Sequence, residues 1–159
     1  MEHFNRQKGL YPVSNTITEL TADFRCPRQN GYAMICTSSN NHLIAASEYG
    51  LQPECHIYQM PSKQVVAQFS MQTTLRSSAM SFSRDGNYLL MVGGVPDFNI
   101  SIYDIKAQSF IKTPLTKLPF KHSQLRSAAF NPRSNEEFCI LSDTKIYFYT
   151  LKHSFMEGD

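Results

Sequence analysis

The chain has 159 residues, carries 15 Lys and Arg against 13 Asp and Glu for a formal net charge of +2, and is 42% hydrophobic and 18% charged. That near-neutral balance argues against generic polyanion binding, which takes a strongly basic face, while the length is that of one domain able to bury a core. The N-terminus reads MEHFNRQKGL, with no apolar stretch, and the longest aliphatic run is Leu89-Leu90-Met91-Val92, so neither a signal peptide nor a membrane span is expected.

Residues 1–30 are polar and lack a clear period; within them only Thr16 to Phe24 reads as a strand, the outer one of an incomplete unit. From Tyr32 the alternation of a half-buried strand sets in: YAMICT, LIAASE, CHIYQM and QVVAQF, divided by Ser38-Ser39-Asn40-Asn41, by Gly50 to Pro53 and by Pro61-Ser62. The pattern returns as SSAMSF, NYLLMV, FNISIYD and SFIKT, with Ser83-Arg84-Asp85-Gly86 and Gly93-Gly94-Val95-Pro96 as turns. Asp85-Gly86 is a hairpin signal, because Gly supplies the positive φ of a tight turn. A loop from Thr113 to Ser123 holds Pro114 and Pro119, and a third unit follows as RSAAF, EEFCIL and KIYFYTL, without a clear fourth strand.

Each unit closes its third strand with Tyr: Tyr58, Tyr103 and Tyr149 lie 45 and 46 residues apart, and the first-strand residues Phe82 and Phe130 lie 48 apart. Four short strands per period of that length are the pattern of a propeller blade, and a blade cannot bury both its faces alone. A closed propeller of four blades takes about 180 residues at that repeat length. The expected fold is therefore all-β, a partial and open propeller of about three four-stranded antiparallel blades. The expected organisation is an irregular segment 1–30, blades over 31–72, 73–122 and 123–152, and a tail 153–159.

The spacing of Asp97 to Tyr103 and of Asp143 to Tyr149, six positions in each case, resembles the WD40 pattern in which an Asp between the second and third strands precedes the strand-closing aromatic. Tyr103-Asp104 stands where that family has Trp-Asp. The resemblance implies that Asp97 and Asp143 accept backbone N–H groups and fix their own hairpins, while Tyr103 and Tyr149 pack between blades. The chain has no Trp and no Gly-His dipeptide, so the usual His partner of that Asp has no counterpart.

A longer combination is more specific. ECHIYQMPS, then FSRDGNYLLMVGGVPDFNISIYDIKAQSFI, then FNPRSNEEFCILSDTKIYFYTL resembles the first propeller of the cilia- and flagella-associated WD40-repeat proteins, over about residues 30–152. IYDI replaces the aromatic-rich WNW of that family. The resemblance implies a non-catalytic scaffold of the motile axoneme whose partners are dynein arm and tether components and tubulin, located at the cytoskeleton of the cilium or flagellum. The alternative is a cytosolic WD40 adaptor that completes its propeller with another chain.

No residue constellation points to catalysis or to a cofactor. The five His (His3, His42, His56, His122, His153) show no HxxxH or HxH spacing, and no CxxC pair exists among Cys26, Cys36, Cys55 and Cys139, so no metal site is expected. Those thiols read as reduced core residues, the usage of cytosolic proteins. Hydrolase elbows and nucleotide-binding glycine loops are missing too, and neither nucleic acid, nor membrane, nor a small-molecule substrate is expected. One charge feature stands out: Lys106, Lys112, Lys117, Lys121, Arg126 and Arg133 fall between Ile105 and Asn135 with no acidic residue among them. They read either as a contact for an acidic partner or, being singly spaced, as a solvated edge.

Overall fold

Period-two segments bounded by turn formers become strands in the computed structural model, which describes residues 31–40, 42–111 and 125–151. All but Gly31 of these belong to one unit, Tyr32–Asp159. The first sheet is β1 (Tyr32–Thr37), β2 (Leu43–Glu48), β3 (Glu54–Gln59) and β4 (Gln64–Ser70). The second is β5 (Ser77–Phe82), β6 (Tyr88–Gly93), β7 (Ile100–Asp104) and the short β8 (Ser109–Phe110), and the third is β9 (Leu125–Phe130), β10 (Glu137–Ser142) and β11 (Ile146–Thr150). Each sheet is an antiparallel meander in chain order, and among the described residues there is no helix. Thr16 to Phe24, and the loop from Thr113 to Ser123, lie outside the described residues.

Register makes the three sheets equivalent. In the second sheet Leu89 pairs with both Phe82 and Tyr103; in the third, Phe138 pairs with both Phe130 and Tyr149. In the first, Ile44 pairs with Thr37 and Tyr58. Because side chains alternate between faces, the row Phe82–Leu89–Tyr103 and the row Met80–Met91 point one way, while Ala79–Val92–Ile100 and Leu90–Ile102 point the other.

The two faces of the second sheet end in two different cores. Met80, Phe82, Leu89, Met91 and Tyr103 cluster with Ala45, Cys55, Ile57 and Ala67 of the first sheet. Ala79, Leu90, Val92, Ile100 and Ile102 cluster with Leu125, Ala128, Phe130, Phe138 and Ile140 of the third. That is why β6 reads YLLMVG with no polar position: it is covered on both sides. The first strand of the first sheet and the last of the third instead alternate between half-buried and exposed, as strands with one covered face do. The stack is open, with the second sheet in its middle.

Aromatic rings fill the seams. Tyr103 lies on Phe69 of β4 with ring centroids 3.8 Å apart, and Phe110 meets both edge-on. At the other seam Tyr149 stacks on Phe138, which meets Phe130 edge-on. Stacked and edge-on ring pairs of this kind add about 0.5–1.5 kcal/mol beyond their burial.

Leu90→Ala should therefore cost about 2–5 kcal/mol through the cavity left between the second and third sheets. Ile35→Ser, on an exposed position of β1, should stay within about 0.5 kcal/mol, as surface changes do. Urea midpoints of the two variants measured against the parent chain check the contrast; equal shifts would contradict the placement of the seam.

Candidate functional site

The polar constellation of the described residues lies where the second sheet meets the linker from the first. The β6–β7 turn carries Asp97, whose carboxylate accepts the Thr74 backbone N–H at 2.5 Å and the hydroxyls of Thr74 at 2.9 Å and Thr73 at 3.0 Å. Thr73 and Thr74 belong to the segment between β4 and β5. Asp97 thus ties one blade to the connection that leads into it, rather than fixing its own hairpin as the resemblance implied. The two threonine hydroxyls serve as the side-chain donors to this carboxylate.

Two further residues hold the same place. Asn99 donates its amide to the Gln72 carbonyl, and at Gly93 a Cβ would stand 2.1 Å from the Asn99 oxygen and 2.9 Å from the Thr73 hydroxyl, so a substitution there must displace both side chains. The backbone N–H of Gly94 donates to the Arg76 carbonyl at 2.9 Å, so the turn and the linker are joined by main chain as well. Sequence reasoning missed Thr73, Thr74 and Asn99. The pairing spans more than twenty residues, and its only local trace is a pair of hydroxyl residues in a linker.

A second repeated device holds the first hairpin of the first and second sheets. Ser38 donates its hydroxyl to Asn40 and accepts the Leu43 N–H; 45 residues on, Ser83 does the same with Asp85 and Tyr88. The Asp85 carboxylate also accepts the Asn87 backbone N–H and side-chain amide, at 3.1 and 2.5 Å. Partial burial opposes ionisation of Asp85, and the hydrogen bonds from Ser83 and Asn87 outweigh it, so its carboxyl sits below the ordinary range. These turns touch one another: Ser39 donates to the Arg84 carbonyl at 2.7 Å, and the Asp85 backbone N–H donates to Asn135 at 3.0 Å. Between the sheets, the Ser47 and Ser77 hydroxyls are 2.7 Å apart and the Phe130 N–H donates to Ser81 at 3.0 Å.

The other expected residues fall apart from this cluster. Asp104 caps the β7–β8 turn by accepting the Ala107 N–H at 2.9 Å. Asp143, expected to anchor a hairpin through backbone donors, is instead ion-paired with Arg126 on the neighbouring β9. Arg126 thus meets a carboxylate within its own sheet while its side chain stays 59% exposed. Lys106 and Arg133 are exposed, in the β7–β8 and β9–β10 turns. Lys112, Lys117 and Lys121 lie outside the described residues.

Chemistry has little to work with at these positions. Burial pushes the Cys36 thiol up to about 12 and raises Cys55 further, with Cys36 as the second cause; thiols held protonated are poor nucleophiles and poor metal ligands. His56 is buried with both ring nitrogens lacking hydrogen-bond partners, and the nearest carboxylate oxygen, on Glu54, is 3.8 Å away. Among the described residues no three His, Cys, Asp or Glu side chains converge.

No family model and no curated protein matches the chain. Its structure is similar to the crystal structure of the β-propeller domain of Cps50 (Swd1) from Myceliophteria thermophila, with a TM-score of 0.55 at 14% identity. The match covers 86% of this chain and 42% of that one, so the chain spans less than half the length of its neighbour. Likeness at that identity speaks for fold alone. Together with the three stacked sheets it defines the class: a partial, open β-propeller.

The Thr74 N–H, the largest influence, holds the Asp97 carboxyl below its ordinary range; burial opposes it, and the Thr74 and Thr73 hydroxyls add to the lowering. A carboxyl depressed in the folded state contributes stability that is present above the unfolded value of about 3.9 and is lost as pH falls through the folded value. Asp97 is exposed, so solvent screens the effect, and Asp97→Asn should cost about 1 kcal/mol at neutral pH. The difference from the parent chain should shrink as pH drops below about 4. Urea unfolding across pH 7 to 3, an experimental range spanning the ordinary carboxyl value, measures it; a difference constant with pH would contradict the ionised acceptor.

Proposed function

We propose that the chain is a non-catalytic WD-repeat scaffold of the motile cilium or flagellum, holding axonemal proteins through its blade surfaces. The observation that carries the reading is the sequence run from ECHIYQMPS through IYDI to the FNP turn and KIYFYTL, laid over consecutive sheets of a propeller stack. Within the cilia- and flagella-associated family the pattern is nearest to protein 43, ahead of proteins 44 and 57. The role implied is that of tethering inner dynein arms to doublet microtubules. The fold supports the coarser part of this reading, protein–protein contact by a repeat scaffold. The axonemal assignment rests on the sequence run.

Exposed Lys106 and Arg133, with Lys112, Lys117 and Lys121, supply attraction to acidic surfaces such as tubulin tails. Such attraction is screened within about 8 Å at physiological ionic strength, so packed apolar contacts must supply the retention.

Tagged chain expressed in ciliated cells should fractionate with axonemes and resist a salt wash. Lys112, Lys117 and Lys121 changed together to Glu should lower retention and its salt sensitivity, without loss of the sheet signal in circular dichroism. A parent chain wholly in the soluble fraction would overturn the axonemal reading in favour of a cytosolic adaptor.

A further inference from the structure

The first hairpin turn of each sheet carries the same bond at its tip. Asn40 accepts the His42 N–H at 3.1 Å, Asp85 accepts the Asn87 N–H at 3.1 Å, and Ser134 accepts the Glu136 N–H at 3.2 Å. The acceptor is an amide oxygen in the first sheet, a carboxylate in the second and a hydroxyl in the third. Ser134 Oγ also accepts the Glu137 N–H at 3.2 Å. A hydroxyl has a proton to give as well as lone pairs, and that of Ser134 meets no acceptor among the described residues. In the other two turns the serine protons are engaged, Ser38 with Asn40, Ser39 with the Arg84 carbonyl and Ser83 with Asp85. The residues around Ser134 add a charge pattern. It is half-buried beside exposed Arg133, Glu136 and Glu137, so carboxylates stand two and three positions after the hydroxyl, as in the charge patterns by which kinases select substrates. Among the described residues one other serine or threonine precedes an acidic residue by three positions, Ser101 before Asp104, and it is buried in β7.

We propose that Ser134 is a phosphorylation site read by an acidophilic protein kinase, and that the phosphate opens the contact between the hairpin turns of the second and third sheets. In the transfer, Ser134 Oγ bonds to the γ-phosphorus of a nucleoside triphosphate and the bond from that phosphorus to the β-phosphate oxygen breaks. The nucleoside diphosphate leaves, and the hydroxyl proton passes to the kinase's base. The contact at stake consists of the Asp85 N–H on the Asn135 oxygen at 3.0 Å and of Arg84 Nη1 on the Arg133 carbonyl at 3.4 Å. Asp85, Glu136 and Glu137 already bring three carboxylates to these two turns, against the guanidinium groups of Arg84 and Arg133. A phosphate adds about −1.5 to −2 charges, so repulsion outweighs the attraction of the two cations. The inference goes beyond the scaffold reading and does not rest on it.

The test incubates the purified full chain with casein kinase II and ATP, maps the phosphate by mass spectrometry, and follows amide hydrogen exchange residue by residue before and after. The proposal expects phosphate on Ser134. In Glu137→Gln, which keeps an oxygen for the Asn131 amide that Glu137 accepts, the rate should fall about tenfold or more, the factor of a lost hydrogen bond to a charged group. In the phosphorylated chain the Asp85 amide should exchange on the order of fivefold faster, the factor of one lost hydrogen bond, while the sheet signal in circular dichroism persists. Phosphate absent from Ser134, or confined to Thr16 or Ser154, which also precede an acidic residue by three positions, would overturn the site. Phosphorylation of Glu137→Gln at the parent rate would overturn its recognition through carboxylates. An Asp85 amide that exchanges no faster in the phosphorylated chain would overturn the opening of the contact.

Discussion

A β-sheet with two apolar faces cannot stand in water, and the second sheet of this chain is such a sheet. Its rows alternate Leu89 and Met91 toward one neighbour with Leu90 and Val92 toward the other, and every one of them is buried. Two-sided burial is a non-directional force that sets the stacking distance but not the angle or the order of the sheets. Direction comes from the polar contacts along the seams.

Those contacts act where the chain passes between sheets. Asp97, Asn99 and Gly93 grip the linker that carries the chain from β4 to β5, and the Ser47–Ser77 and Phe130–Ser81 bonds join β2 to β5 and β9 to β5 across adjacent sheets. The chained hairpin turns, Ser39 to Arg84 and Asp85 to Asn135, do so from the first sheet through the second to the third. A hydrogen bond of this kind adds about 1 kcal/mol, far less than the aromatic and aliphatic burial beside it, yet it specifies which sheet meets which.

Much of the fold was legible because strands and turns are local. YAMICT, LIAASE and SSAMSF coincide with β1, β2 and β5, since each is a short run set off by turn formers. NYLLMV carried more than was read from it: an apolar run too short for a membrane, placed between two turns, is the mark of a strand covered on both faces, and it singled out the central sheet. The polar site was far less legible. Asp97 could be located by its spacing to Tyr103, but its partners Thr73 and Thr74 are remote in sequence and belong to a linker, where hydroxyl residues are common for other reasons. The identical spacing of Asp143 misled, because in the third sheet Arg126 takes that carboxylate. The Ser38–Asn40–Leu43 and Ser83–Asp85–Tyr88 turns were present as a repeat of 45 residues and could have been found by searching for polar periodicity as well as aromatic periodicity.

Native-state hydrogen exchange of the purified chain tests most directly whether the second sheet supports the others. Amides of β6 and β7 should exchange slowest and as one group, because exposing them requires both seams to open, while β1 and β11, each with an open side, should exchange faster. Protection of β6 and β7 no greater than that of β11 would contradict a stack built around its middle sheet.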